Sequence, residues 1–222
     1  MLLSNFKISK LKAIGFISVA FFVLGFSLNS YSQRESNGFF KLSCPEKRWV
    51  IFHPFIAKKA YKISIESSQK ARELLSDSLL DGDLNGGQLD AFRHAYWMAC
   101  VTQKYGWRAA RSLGNAHEKG NYSDYKKHRT EDGTLPDEQS GQMDFLNNDV
   151  GIEVGKGNLS INTEELTLKI KEMIFEGKLF VLKKDKQGNF LKCNEETIKP
   201  EELKCKWETP KCVVPSNKVK KD

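Results

Sequence analysis

From His53 onward the apolar positions recur at helical spacing. Phe55, Ala57, Ala60, Tyr61, Ile65, Ala71, Leu74 and Leu75 predict one helix from Pro54 to about Leu80, interrupted near Ser67. Pro54 suits its first turn, where a missing N–H costs nothing. Asp81–Gly87 (DGDLNGG) is a loop by composition. Gln88–Tyr105 is apolar nearly all round, the mark of a helix buried on every side. Trp107–Glu118 predicts a third helix, with Ala110, Leu113, Gly114 and His117 on one stripe. Gly120–Gln139 is polar, holds Gly133 and Pro136, and reads as a long surface loop. Ser140 is the predicted cap of a fourth helix running to about Glu153. After a turn at Gly155–Ser160, Asn162 and Glu165 have capping-box spacing and open a fifth helix, Glu164–Glu176.

The pattern then changes. Two short apolar runs, 178–182 and 189–191, flank the turn Asp185–Gly188 and predict a β-hairpin. Residues 193–222 form a Cys- and Lys-rich tail. The predicted fold is therefore mainly α: about five helices around a buried central one, a short C-terminal hairpin and a disulfide-tethered tail. The helical domain with its hairpin spans 53–192, preceded by a lead-in at 33–52.

The N-terminus has a different pattern. Lys7, Lys10 and Lys12 precede the uncharged run Ala13–Leu28, and small residues stand at Ser30 and Ser32. This is the layout of a secretory signal, with cleavage expected after Ser32. The run is short for a membrane span, which needs roughly 20 apolar residues. A secreted or periplasmic protein is expected, with no stable membrane span after cleavage. The formal charge is +7, and the signal's three lysines carry +3 of it. The balance is too mild to indicate nucleic acid. In an oxidising compartment Cys44, Cys193, Cys205 and Cys212 could form up to two disulfides, in pairings that sequence does not choose. Zinc at the tail cysteines is the weaker reading, because CxxC spacing is absent.

Three segments place polar residues inside apolar stretches: Asp90–Trp97 (DAFRHAYW), Ala116–Glu118 (AHE) and Met143–Gly151 (MDFLNNDVG). Asp90 and His94 lie at i, i+4 and share a face, as do Asp144 and Asn148. Small neighbours (Ala91, Ala95, Gly114, Gly151) would let helices approach closely. Buried groups of this kind must be paired, bound to metal or exposed to a wet cleft. One reading is a divalent metal, zinc or manganese, held by Asp90, His94, His117, Asp144 and Asn148, with His94, His117 and Glu118 catalytic and Glu118 as base or ligand. It is not HExxH. A second reading is metal-free acid–base chemistry oriented by Asp90 or Asp144. A third is a structural network that fixes helix packing. Arg93 could pair with a buried carboxylate or bind an anion. Asp81-x-Asp83-x-Asn85-Gly86 matches the first half of a calcium loop, but Phe92 stands where the bidentate glutamate belongs, so a plain turn is expected.

Together the three segments resemble the signature of a bacterial family of unknown function, whose pattern runs approximately NAFRHAYW, AHE, MDLxNNxxG. The resemblance covers about Phe52–Phe180. Asp90 stands where asparagine is common, and Phe145 where leucine is common. The resemblance implies a mainly helical domain of the kind found in exported bacterial proteins and at the ends of large toxin-like proteins, and it implies no activity. The signal's Ser-Tyr-Ser-Gln ending is similar to exported proteins of Bacteroidota-like bacteria. The functional expectation is an exported metal-dependent hydrolase acting on an envelope or extracellular substrate, or else a non-enzymatic envelope or interaction protein using the same residues structurally.

Overall fold

The computed structural model describes residue 39 and residues 42–130 and 133–218. The expected signal, 1–32, lies outside them. Seven α-helices and one pair of strands occur among the described residues, and none of these helices is long and apolar enough to cross a membrane.

The lead-in contains a helix that periodicity did not reveal, α1 (Cys44–Phe52). Ser43 and Glu46 form its capping box, with Glu46 Oε2 accepting from the Ser43 amide at 2.8 Å. His53 ends it and folds back, its ring stacked on Trp49 at 4.4 Å. The chain turns at Pro54–Ile56, so the next helix, α2 (Ala57–Glu73), starts later than expected and closes with a 3₁₀ turn at Leu74–Ser76. Ser67 does not break it, because its hydroxyl donates back to the Ile63 carbonyl at 2.8 Å.

Helix α3 (Gln88–Tyr105) has the bounds its sequence predicts. Helix α4 (Trp107–Lys126) runs two turns beyond the expected end. The start of α1 packs tightly against it at Gly120, where a Cβ would lie 2.5 Å from Ser43 Oγ. Helix α5 (Glu138–Gly157) is capped by Asp137 rather than Ser140, the Asp137 carboxylate accepting from the Gln139 and Ser140 amides. Helix α6 (Thr163–Phe175) begins with the expected Asn162–Glu165 capping box.

The C-terminal antiparallel pair is present, but its second strand is not 189–191. Strand β1 (Phe180–Leu182) pairs with β2 (Val213–Pro215), with Val181 opposite Val214. Between the strands lies a one-turn helix, α7 (Pro200–Leu203). Segment 189–191 makes isolated bridges, one of them Lys184–Phe190. One disulfide, Cys193–Cys212, ties the tail. Cys44 and Cys205 are free and exposed, and Cys100 is half-buried, where burial pushes its thiol up to about 11.

Helix α3 separates two cores. Leu89, Phe92 and Tyr96 face Leu166, Ile170 and Ile174 of α6 together with Val181 of β1. Trp97, Met98 and Val101 face Trp49, Ala60, Ile63 and Leu113. Helix α5 approaches α3 almost backbone to backbone: a Cβ at Gly151 would lie 2.2 Å from the Ala95 carbonyl oxygen. Of the aromatic residues on and beside α3, Tyr96 and Trp97 are buried, whereas Trp107 is exposed under the Arg108 guanidinium.

Candidate metal centre

The N-terminus of α3 sets the first carboxylate. Gly86 adopts φ +87°, and its amide donates to Asp90 Oδ2 at 2.7 Å. Asp90 thus sits in the first helical turn, where the helix dipole favours an anion. Its other oxygen, Oδ1, accepts from Arg93 Nη2 at 2.6 Å and faces His94 Nε2 at 3.7 Å. The close crossing of α3 and α5 brings Asp144 Oδ1 to 3.3 Å from the same nitrogen. Asp90, His94 and Asp144 are all buried, and each offers one ligand atom within 4.8 Å of the others.

The state of His94 follows from its neighbours. Glu118 Oε1 accepts from Asn148 Nδ2 at 3.0 Å, which leaves Asn148 Oδ1 facing His94 Nδ1 at 3.2 Å. That oxygen can only accept, so Nδ1 carries the proton. The Arg93 guanidinium can only donate, and its Nη2 lies 3.3 Å from Nε2. Nε2 therefore faces two acceptors, the carboxylates of Asp90 and Asp144, and one donor, the Arg93 guanidinium. The Glu118–Asn148–His94 chain is the kind of outer support that orients a metal-binding imidazole.

The remaining candidates lie differently. His117 comes within 6.1 Å of His94, ring centroid to centroid, but its Nδ1 faces Glu46 Oε1 at 3.2 Å and its ring meets the edge of Trp97. Glu118 is linked to His94 through Asn148, and its second oxygen accepts from Asn121. Asn148 presents its oxygen to Nδ1, the side of the imidazole away from the carboxylates. Asn147, beside it, turns the other way and binds both the amide and the carbonyl of Phe180, anchoring β1. A cleft of about 40 Å³, bordered by Asp90, Arg93, Asn121, Ser140 and Asp144, opens beside the cluster. That is room for an ion or a water.

Glu46 was not legible as a partner because it lies in the lead-in. Burial alone would raise its carboxyl, but hydrogen bonds and charge from His117 and Ser43 outweigh burial and hold it below its usual 4.5. A carboxyl lowered in the folded state adds stability above the unfolded value, and loses it as pH falls through the folded one. Glu46→Gln is therefore expected to cost about 1 kcal/mol at neutral pH and progressively less below pH 4.5. Urea melts of both proteins across the acid range check this; a gap that stays constant into strong acid contradicts it.

The calcium-like loop is a turn with its own cation. Asp81 Oδ1 accepts from the Asp83 amide and Asp83 Oδ1 from the Asn85 amide. The Lys184 ammonium binds Asp83 Oδ2 and the Asn85 carbonyl.

A family model described as a domain of unknown function (DUF6973) matches residues 47–178. No curated protein and no solved structure matches the chain.

Proposed function

The chain belongs to the DUF6973 family, which brings no activity with it, and we propose from its own residues that it is an exported, metal-dependent hydrolase. The observation that carries this is the convergence of Asp90, His94 and Asp144 within 4.8 Å, beside a cleft. Three protein ligands, one imidazole and two carboxylates, are the complement of a catalytic rather than a structural site, since the coordination sphere is left incomplete for water or substrate. One nitrogen with two carboxylate oxygens suits zinc or manganese. Such an ion supplies Lewis-acid activation of water or of a carbonyl or phosphoryl oxygen. In this reading Asn148 and Glu118 are positioning residues that hold the Nε2 lone pair toward the ion, and His117 supports the centre from its pairing with Glu46. The substrate is an envelope or extracellular one.

Arg93 favours a second reading. Its guanidinium already sits on Asp90 Oδ1 and His94 Nε2, so it can serve as the cation of a purely structural network. Metal would have to displace it. Elemental analysis of protein purified without chelator separates the readings. The metal centre predicts about one zinc or manganese per chain in the wild type and none in His94→Ala or Asp144→Asn. It also predicts that Arg93→Met binds the ion more tightly, because a competing charge is gone. The structural network predicts an unloaded wild type that no divalent ion stabilises, and an Arg93→Met protein that melts early with or without metal. That second pattern would end the hydrolase proposal.

A further inference from the structure

We propose that the corner between α1 and α2 docks on a membrane surface rich in anionic phospholipid. Phe52 is 73% exposed, Phe55 93% and Ile51 65%. Their exposure follows from local structure. His53 folds inward onto Trp49, and Ala57, Ala60 and Ile63 take the inward face of α2. The residues left at the corner project outward, and the apolar surface continues along α2 through Tyr61 and Ile65, which are about half exposed.

Charge indicates the occupant. Residues 47–65 hold Lys47, Arg48, Lys58, Lys59 and Lys62 and no acidic residue, and Glu66, the next residue, pairs with Lys62 at 3.5 Å. Arg48, Lys58, Lys59 and Lys62 are all exposed. Aromatic side chains at a corner, rimmed by cations, are the composition of an interfacial membrane contact, where apolar insertion and attraction to anionic headgroups add together. Size argues the same way. Ile51, Phe52 and Phe55 expose on the order of 400 Å² between them. Together with Tyr61 and Ile65 this makes a patch in the range that functional surface patches on monomers span, at a corner that projects. A projecting corner of that size suits shallow insertion into lipid better than a protein interface. The proposal is independent of the metal centre.

The test is flotation with two vesicle preparations, one of phosphatidylethanolamine with a quarter phosphatidylglycerol and one of phosphatidylcholine alone. The protein used starts at Gln33. It keeps the whole compact unit Ser43–Asp222 and lacks the apolar run 13–28, which would bind vesicles by itself. Binding to the anionic vesicles is expected to be at least about tenfold stronger than to the neutral ones, and to weaken as salt is raised. Phe52→Ser with Phe55→Ser is expected to lower it about tenfold, without changing the melting temperature, because neither ring is in the core. The triple change Lys58→Glu, Lys59→Glu, Lys62→Glu should abolish the preference for the anionic lipid. Equal binding to both vesicles, no binding to either, or unaltered binding by the double Phe variant overturns the proposal. So does a dimer in solution that the double Phe variant dissolves while vesicles remain unbound.

Discussion

Asp137→Ala is expected to destabilise the protein by about 4 kcal/mol. The carboxylate does two jobs. It caps α5 by accepting from the Gln139 and Ser140 amides, and losing such a cap costs about 1 kcal/mol. It is also the anion for Lys211, and the two side chains are only 5% and 4% exposed. Removing one partner of a buried ion pair strands the other charge, at a cost of about 3–5 kcal/mol. Thr209 loses an acceptor as well. Denaturant melts give the total, and two further variants apportion it. Asp137→Asn keeps the cap but not the charge, and should lose about half as much. Adding Lys211→Met to Asp137→Ala should recover about 2 kcal/mol, since no stranded ammonium remains. A loss under 1 kcal/mol in the single variant would mean that Lys211 reaches water when its partner goes.

The second large effect is at Gly151. Alanine there places a methyl 2.2 Å from the Ala95 carbonyl oxygen and 2.8 Å from its Cα. Both are backbone atoms of a central helix, so neither can rotate away. Overpacking of this kind costs about 1–3 kcal/mol and more where backbone must move, against a gain of about 1 kcal/mol from alanine's better helix propensity. A net loss of about 3 kcal/mol is expected. His94 adjoins Ala95, so the same separation should pull Nε2 from Asp144 and Nδ1 from Asn148. A protein that loads metal in the wild type should therefore lose the ion in Gly151→Ala. Gly157→Ala on the same helix is the control: no heavy atom lies within 4 Å of its added carbon, and stability should not fall. If Gly151→Ala melts with the wild type, the close crossing of α3 and α5 is not what holds the cluster together.

What the sequence showed was what is local. The bounds of α3, the Asn162–Glu165 capping box and the shared faces of Asp90 with His94 and Asp144 with Asn148 all follow from spacing within one helix. What it hid was long-range. Spacing puts His117 on the stripe that faces the core, yet whether it meets His94 or Glu46 depends on how α1 packs across α4, and α1 is too short and too weakly patterned to be seen in advance. Strand β1 pairs with Val213–Pro215 rather than with the nearer 189–191, while Asn147 and the Gly86 carbonyl hold its other backbone groups, contacts that arise from distant parts of the chain. Ser140 looked like a cap, but Asp137 is the better acceptor once Lys211 and Thr209 arrive from the tail. Arg93 is a local i, i+3 partner of Asp90, and spacing alone did not choose between that pairing and a ligand.

The grip of the tail on α5 also sets an order of events in time. A chain is made from its N-terminus, so the start of the helix that bears Asp144 emerges more than seventy residues before Lys211, the cation that settles its cap. Strand β1 waits about as long as the interval from Leu182 to Val213 for its own partner. Helices α1 to α4 can collapse around their own core as they appear, but the cap of the helix that bears Asp144 is completed only when Lys211 arrives. The support of the helix that bears Asp144 is therefore completed late in synthesis, by residues that follow it in the chain.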